Sequence, residues 1–272
     1  MGMMTVGPFS FPVLPLLLVV GMFASLVLAR RKGALHADLE TAIYGIVIIA
    51  VLSARIAFVA LHWAIYKQSL RDIIDVRDGG FFPLIGMAAG VVVTGLYLLH
   101  KPSLMRALLT CLFAGAGVAA FGGMTAWAIK APVEMRLPSA SFIDVDGNPV
   151  RLDHFLGKPV VINLWATWCP PCRREMPVLM HAQASTPEVV FVFANQGEPA
   201  LTVRQYLTQA HVDIANVILD SRLDIARIAG SNALPTTLFF NKMGELHRIR
   251  MGALSAATLA EELGALTGGS RP

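Results

Sequence analysis

The distribution of charged residues constrains this chain more than any other feature of its sequence. Three long segments, 1–29, 79–99 and 107–129, contain no Asp, Glu, Lys or Arg. A fourth apolar segment, 42–65, contains only Arg55 among these residue types. Each segment is as long as the roughly 20 residues that a helix needs to span a hydrocarbon core. The first half of the chain is therefore predicted to form an all-α bundle of four transmembrane helices.

After residue 130 the composition changes to polar turns, short β-branched segments and amphipathic stretches. The first 130 residues carry ten Lys and Arg against five Asp and Glu (10 − 5 = +5), and residues 131–272 carry twelve against thirteen (12 − 13 = −1), which together give the net charge of +4. The chain thus divides into a membrane domain, 1–130, and a soluble domain, 131–272, of typical domain size. The soluble domain has no basic excess for phosphates, so no nucleic acid is expected as a partner.

Basic residues in the loops predict the orientation of the membrane domain. They are concentrated in the first and third loops, whereas the N-terminal tail has none and the second loop carries as many Asp residues as basic ones. The N-terminus and the soluble domain are therefore expected in the periplasm, with the chain crossing a bacterial inner membrane four times. A cleaved signal peptide is the alternative for the first segment, but the basic residues follow this apolar run instead of preceding it.

Two of the three cysteines, Cys169 and Cys172, follow directly after the apolar run 159–165. Such a run is typical of a buried parallel strand, and the prolines Pro170 and Pro171 favour the start of a helix. Cys169 is then expected at the helix N-terminus, where the helix dipole and free N–H groups stabilise a thiolate. Cys172 lies nearly one turn further on. This order predicts that Cys169 attacks a disulfide and that Cys172 resolves the mixed disulfide.

Pro171 also bears on the direction of the redox reaction. It has no N–H to donate to the Cys169 thiolate, so only the N–H of Cys172 remains, and no His between the cysteines adds positive charge. A less stabilised thiolate corresponds to a more reducing couple, so the pair is expected to reduce disulfides. A zinc site would need about four ligands, and the sequence has neither a second cysteine pair nor a close histidine pair. We expect no metal ion or other cofactor.

Two stretches, SFIDVDGNPVRLDHFLGKPVVINLWATWCPPCRREMP and LPTTLFFNKMGELHRIRMG, closely resemble the TlpA/ResA-like disulfide reductases. The resemblance covers residues 137–268 and implies an α/β thioredoxin fold. It further implies that Pro235 is a cis proline packed against the active-site disulfide and that the backbone of Leu234 meets an incoming peptide. Trp168, at the rim of the site, and Thr236 are the other implied substrate-binding positions.

The same resemblance draws attention to polar residues around the cysteines. Asn163 stands where thioredoxin has a buried Asp, six residues before the first cysteine, and an amide cannot shuttle protons. Glu175 matches an acidic residue that the family uses near its thiols. An acidic residue is also electrostatically favourable in the first turns of a helix, so both interpretations of Glu175 stay open. Arg173 and Arg174 either favour the thiolate or are only solvated.

The membrane half resembles a second family. The stretch LHADLETAIYGIVIIAVLSARIAFVALHW, followed by DGGFFPLIG, is similar to the N-terminal part of prolipoprotein diacylglyceryl transferase, over residues 10–125. The chain lacks that enzyme's His-Gly-Gly segment and its later arginine-bearing helices, so no acyl-lipid transfer is expected. Placing the cation of Arg55 within the membrane costs free energy, so we expect Arg55 to contact lipid or to keep a vestigial structural role.

These observations predict a membrane-tethered thiol–disulfide oxidoreductase that reduces disulfides in exported proteins, with cytochrome c or copper-site maturation as the setting. A reducing pair outside the cytoplasm needs a membrane partner that carries electrons from cytoplasmic thiols. The expected partners are thus exported thiol proteins, such an electron donor and membrane lipids. The alternatives are a thiol oxidase or isomerase, residual lipid transfer by the membrane half, or a copper carrier that uses the cysteine pair with Met1, Met3 and Met4.

Overall fold

The computed structural model describes residues 3–6, 9–12, 37–67, 73, 79–129, 135–231 and 233–268. Two short strands, β1 (Met3–Val6) and β2 (Phe9–Pro12), form a two-stranded sheet. The first predicted transmembrane segment therefore begins with strands, and its part 13–29 lies outside the described residues. The chain divides into two compact units, an N-terminal unit of Met1–Met4 with Phe11–Ala131 and a C-terminal unit of Pro132–Pro272 with Thr5–Ser10.

The N-terminal unit is built from apolar helices. Helix α1 spans Ala37–Leu61, and after a turn at His62 the short helix α2 spans Trp63–Tyr66. Helix α3 spans Pro83–His100 and helix α4 spans Met105–Ile129, with one 3₁₀ turn between them. Helices therefore occupy three of the four segments that were predicted to cross a membrane.

Two of the described helices are long and apolar enough to cross a membrane, namely Asp38–Leu61 and Pro83–His100. Large apolar side chains on α3 are exposed, among them Val91 at 72% and Leu99 at 79%. Water-soluble surfaces rarely carry extended apolar patches of this kind. These helices do not by themselves establish a four-helix transmembrane bundle, which stays a prediction.

A small residue allows α1 and α3 to pack closely. A Cβ atom added to Gly86 would lie 2.7 Å from the carbonyl oxygen of Ala50 and 2.9 Å from the Cβ atom of Ala54. A larger residue at this position would push the two helices apart, as is common where helices approach closely in membranes.

Arg55 is a buried cation in the N-terminal unit, with 7% of its surface exposed. Its Nη1 donates to the carbonyl of Gly80 at 2.8 Å, and its Nε donates to the carbonyl of Ile73 at 3.1 Å. The guanidinium carbon also lies 5.4 Å from the ring centre of Tyr66 and 5.8 Å from that of Phe81. These contacts tie α1 to the segment before α3, which is a structural role. Contact of Arg55 with lipid stays a prediction.

The C-terminal unit contains a seven-stranded mixed sheet. Its strands β3 to β9 are, in chain order, Ser141–Asp144, Pro149–Arg151, Val160–Trp165, Val190–Gln196, Val217–Asp220, Thr236–Phe240 and Leu246–Met251. The strand order in the sheet is β4-β3-β7-β6-β5-β8-β9. Strand β5 pairs in parallel with β6, which pairs in parallel with β7, and β5 pairs antiparallel with β8 on its other side.

Four helices accompany this sheet: α5 (Pro170–Ser185), α6 (Ala200–Gln209), α7 (Asp224–Ile228) and α8 (Ala256–Thr267). Helix α5 follows β5 directly, and α8 begins after Ser255, whose hydroxyl accepts a hydrogen bond from the N–H of Thr258. The predicted α/β fold of this half of the chain is confirmed.

The central strand β5 supplies both faces of the core. Because successive side chains of a strand point to opposite faces, Val161 and Trp165 join one apolar cluster, while Ile162 and Leu164 join the other. Asn163 lies on the same side as Val161 and Trp165 and is 1% exposed. This is the side whose cluster also contains both cysteines of the pair.

Candidate active site

The cysteine pair lies on the turn between β5 and α5. The strand ends at Trp165 and the helix begins at Pro170, with Cys169 as its N-cap residue. The N–H of Cys169 donates to the carbonyl of Ala166 at 3.2 Å and closes the turn. Proline suits the first helical position because its fixed φ is helical and no intrahelical N–H bond is needed there. The helix thus starts where the sequence predicted.

Cys169 and Cys172 form a disulfide, with their Cα atoms 5.3 Å apart. Both residues are buried, Cys169 at 3% exposure and Cys172 at 0%. The N–H of Cys172 donates to Sγ of Cys169 at 3.2 Å, and Pro171 between them has no N–H. The sequence predicted this single available N–H, and the structure places it in contact with the sulfur.

Glu175 is a buried carboxyl group one turn after Cys172 on α5, and it is 2% exposed. It accepts hydrogen bonds from the side-chain amide of Asn163 at 2.8 Å and from the N–H of Leu254 at 2.9 Å. Burial raises the pKa of Glu175 to about 7, and the two hydrogen bonds oppose this rise only in part. A carboxyl group that titrates near neutral pH can take up or release a proton during thiol–disulfide exchange.

Asn163 connects this carboxyl group to strand β8. Its Nδ2 donates to Thr237 Oγ1 at 3.0 Å as well as to Glu175. Its Oδ1 is buried and finds no hydrogen-bond partner in the part of the chain that the structure describes. The sequence identified Asn163 as a departure from thioredoxin but did not predict its bond to Glu175.

The loop before β8 contains the predicted cis proline. The Leu234–Pro235 peptide bond is cis, and the carbonyl of Pro235 accepts a hydrogen bond from the N–H of Gly252 at 2.8 Å. Leu234 is half-buried and packs against the apolar cluster that includes both cysteines. Its backbone N–H and carbonyl form no hydrogen bond to another residue within the described ranges.

The other two predicted binding residues differ in exposure. Trp168, immediately before Cys169, is 67% exposed and therefore available to a partner. Thr236 is fully buried, and its hydroxyl donates to the carbonyl of Ala233 at 2.7 Å and lies 2.7 Å from Ser231 Oγ. In this conformation no surface of Thr236 meets a partner, and its contact with a substrate stays a prediction.

Glu198 holds the active-site turn from the end of strand β6, a contact that the sequence analysis missed. Its carboxylate accepts hydrogen bonds from the N–H of Thr167 at 2.7 Å and from the Thr167 hydroxyl at 2.5 Å. The side-chain amide of Asn195 donates to the same carboxylate at 2.7 Å. Hydrogen bonds to a charged acceptor are about twice as strong as neutral ones, so this carboxylate fixes Thr167 two residues before Cys169.

Within the described ranges, no group of three or more His, Cys, Asp or Glu side chains could hold a metal ion. Met1, which the copper-carrier alternative requires, lies outside those ranges, and Met3 and Met4 are described only as part of strand β1, so this alternative stays a prediction. The third cysteine, Cys111, is buried on α4 in the N-terminal unit.

The comparison with known proteins identifies the family. The Redoxin family model matches residues 132–262. The thiol-disulfide oxidoreductase ResA of Halalkalibacterium halodurans is 30% identical over 120 residues, which cover 43% of this chain and 68% of the relative. The chain belongs to the ResA-like thiol–disulfide oxidoreductases. A ResA of Geobacillus thermodenitrificans is 27% identical over 158 residues, 57% of this chain and 90% of that relative.

Among solved structures, a thioredoxin-family thiol:disulfide interchange protein from Chlorobium tepidum TLS is similar to the chain. It is 26% identical, with a TM-score of 0.44, and the match covers 50% of this chain and 98% of that one. As a ResA-like oxidoreductase, the enzyme has an α/β thioredoxin fold in its C-terminal unit, with Cys169 and Cys172 as its Cys-x-x-Cys pair. The resemblance of the first half to prolipoprotein diacylglyceryl transferase stays a prediction.

Proposed function

We propose that this oxidoreductase is a membrane-anchored disulfide reductase that acts on exported proteins in the periplasm. Maturation of c-type cytochromes or copper sites is the class of process that it serves. The observation that carries the reducing direction is the environment of Cys169. Its sulfur accepts a hydrogen bond from the N–H of Cys172, but Pro171 has no N–H to donate. The Cys169 thiolate of the reduced form therefore lacks part of the stabilisation that a helix N-terminus can supply.

Reduction of a substrate disulfide takes two exchange steps. The Cys169 thiolate attacks one substrate sulfur, forms a mixed disulfide and releases the other substrate sulfur as a thiolate. The Cys172 thiolate then attacks Sγ of Cys169, breaks the mixed disulfide and releases the second substrate sulfur. The substrate gains two electrons and the enzyme loses two, which leaves the Cys169–Cys172 disulfide seen in the structure.

Glu175 accepts the proton of Cys172 in this proposal. The two residues are three positions apart on α5 and therefore neighbours on one helix face. Cys172 is fully buried, so its thiol cannot pass a proton directly to water. Since the pKa of Glu175 is raised to about 7, a large fraction of the carboxyl groups is ionised at neutral pH and able to accept that proton.

The substrate binds across the cis proline loop and the exposed face of Trp168. The Leu234 backbone has no hydrogen-bond partner in the described ranges, so its polar groups are available to an extended peptide. Trp168 offers a large ring at 67% exposure beside Cys169. Thr236 supports this loop from inside, through its hydrogen bonds to Ala233 and Ser231.

Anchoring and location rest on the N-terminal unit. The helices Asp38–Leu61 and Pro83–His100 are long enough to span a membrane, and the loop charges favour an external C-terminal unit. The same proposal divides the chain into a membrane domain, 1–130, and a soluble domain, 131–272. A reductase outside the cytoplasm also requires a membrane partner that delivers electrons from cytoplasmic thiols, since its own pair is oxidised in each turnover.

A mixed-disulfide trap tests this function. Cys172→Ser in the full-length protein retains the attacking thiol but cannot resolve the intermediate, so it should accumulate mixed disulfides with exported proteins, to be identified by mass spectrometry. The matched control, Cys169→Ser with Cys172→Ser, should capture none. Exclusive capture of cytoplasmic proteins, or equal capture by the control, would contradict the proposal.

A further inference from the structure

An open groove of about 400 Å³ lies beside the cysteine pair, between the beginning of α5 and the end of α6. Arg173 and Arg174 line it together with the apolar surfaces of Pro170, Pro177 and Tyr206. We call these five residues the arginine groove. Pro170 directly follows Cys169, so a peptide chain that reaches the disulfide can also reach this groove.

The two arginines of the groove differ from the other arginines of the C-terminal unit. In residues 135–231 and 233–268, the seven other arginines each lie within 3.9 Å of a carboxylate oxygen. Arg173 and Arg174 form no ion pair with any residue of these ranges, and both are exposed. The guanidinium carbon of Arg173 lies 5.6 Å from the ring centre of Tyr206, which holds it over the groove.

The position of these arginines on α5 gives them no role in stabilising the helix. Cations are favoured near helix C-termini and disfavoured near N-termini, where the dipole is positive. Arg173 and Arg174 lie in the first two turns of α5. Two guanidinium groups that form no ion pair within the described ranges, at this end of a helix and beside apolar side chains, form a surface that complements a carboxylate on an extended peptide.

We propose that the arginine groove binds an acidic segment of the protein substrate, a few residues from the disulfide to be reduced. The inference rests on the proposed reductase function and adds a substrate class to it: exported proteins with Asp or Glu close to the target cysteine. The carboxylates pair with Arg173 and Arg174, and the aliphatic parts of the peptide contact Tyr206 and the two prolines.

The test uses three peptides that share one sequence and one internal disulfide but carry Asp, Ser or Lys residues beside the cysteines. The second-order rate of oxidation of the reduced full-length protein is measured by acid quench and chromatography. We expect the Asp peptide to react about tenfold faster than the Lys peptide at low salt. The expected factor is no larger because each of the two ion pairs is exposed to solvent and therefore weak. The preference should shrink at 1 M salt, where the Debye length is about 3 Å.

The double charge reversal Arg173→Glu with Arg174→Glu should invert the order of the Asp and Lys peptides. Arg173→Gln with Arg174→Gln, which keeps the side-chain bulk, should abolish the preference without inverting it. The matched control, Lys158→Glu with Lys242→Glu, changes the net charge equally at the opposite end of β5 and should keep the wild-type order. Lys158 is close to Lys242, whose carbonyl accepts the N–H of Gly157 at 2.9 Å.

A small neutral disulfide, 2-hydroxyethyl disulfide, separates the possible failures. If the charge reversal slows this compound as much as it slows the Asp peptide, the arginines act on the thiolate and the groove proposal is wrong. Equal rates for the three peptides with the wild-type protein would also overturn it, while leaving the reductase function intact. If neither the peptides nor the neutral disulfide oxidise the reduced wild-type protein, the proposed function itself is wrong.

Discussion

Replacing Glu175 by Gln tests the electrostatic core of the site. The change keeps the size of the side chain and removes its ionisation. Burial raises the pKa of Glu175 from 4.5 to about 7, so the folded protein holds this proton over a pH range in which the unfolded chain releases it. The wild-type protein therefore loses stability as the pH rises from about 4.5 to about 7, and the loss is constant above that range.

The size of this stability change follows from the difference between the two pKa values. Each pH unit between the two pKa values corresponds to about 1.4 kcal/mol, so ionisation of Glu175 costs the folded state about 3 kcal/mol above pH 7. Gln carries no such cost. The free energy of unfolding of Glu175→Gln, relative to wild type, should therefore increase by about 3 kcal/mol between pH 4.5 and pH 8. Asn163 Oδ1 has no hydrogen-bond partner among the described residues, so a flipped Asn163 amide can accept a hydrogen bond from the Gln side chain introduced at position 175.

The assay is denaturant unfolding of the oxidised full-length protein in detergent at several pH values, followed by tryptophan fluorescence, to which the buried Trp165 contributes. Glu188→Gln is the matched control, because it removes one carboxyl group at an exposed position. A difference between Glu175→Gln and wild type that is flat from pH 4.5 to 8 would refute the reasoning.

Two further predictions concern the active-site turn and the topology. Glu198→Ala removes the acceptor for Thr167 and should lower kcat/KM for reduction of insulin about tenfold, with faster amide exchange at Thr167 and partial rescue by Glu198→Gln, which keeps one acceptor oxygen. Normal exchange at Thr167 in the Ala variant would show that this contact does not hold the turn. Alkaline phosphatase fused after Lys130 should be active and green fluorescent protein fused there dark, because the distribution of basic residues in the loops predicts that this point lies outside the cytoplasm. The reverse pattern would move the cysteine pair into the cytoplasm.

The junction of β5 and α5 was predictable because its signals are local. An apolar run that ends at Trp165 predicts a buried strand, and Pro170 shortly after it predicts the start of a helix. The position of Cys169 as N-cap follows from this junction. The start of α8 after Ser255 was predictable for the same local reason.

Contacts that depend on the pairing of distant segments were not predictable in this way. Thr167 meets Glu198 only because β5 and β6 run in parallel, with Trp165 opposite Asn195, so that both strands end at one edge of the sheet. Asn163 meets Glu175 because α5 packs across the face of β5. Neither contact can be recognised from the spacing of residues along the sequence, because both depend on tertiary packing.

The membrane half shows a different limit. Hydropathy identified segments that the structure gives as helices, such as Pro83–His100, but hydropathy carries no information on what a buried cation contacts. Arg55 was expected to contact lipid or to serve a structural role, and it reaches the carbonyl of Gly80, 25 residues further along the chain. That contact depends on how the segment before α3 folds back onto α1.

The reduction potential of the Cys169–Cys172 pair tests the central claim most directly. The full-length protein is equilibrated with thiol–disulfide buffers of known potential, and the reduced fraction is measured by alkylation and mass spectrometry. Because Pro171 cannot donate an N–H to Cys169, we predict a value nearer the thioredoxin potential of about −270 mV than the strongly oxidising potential of about −120 mV. A value close to −120 mV would contradict the reductase and favour an oxidase.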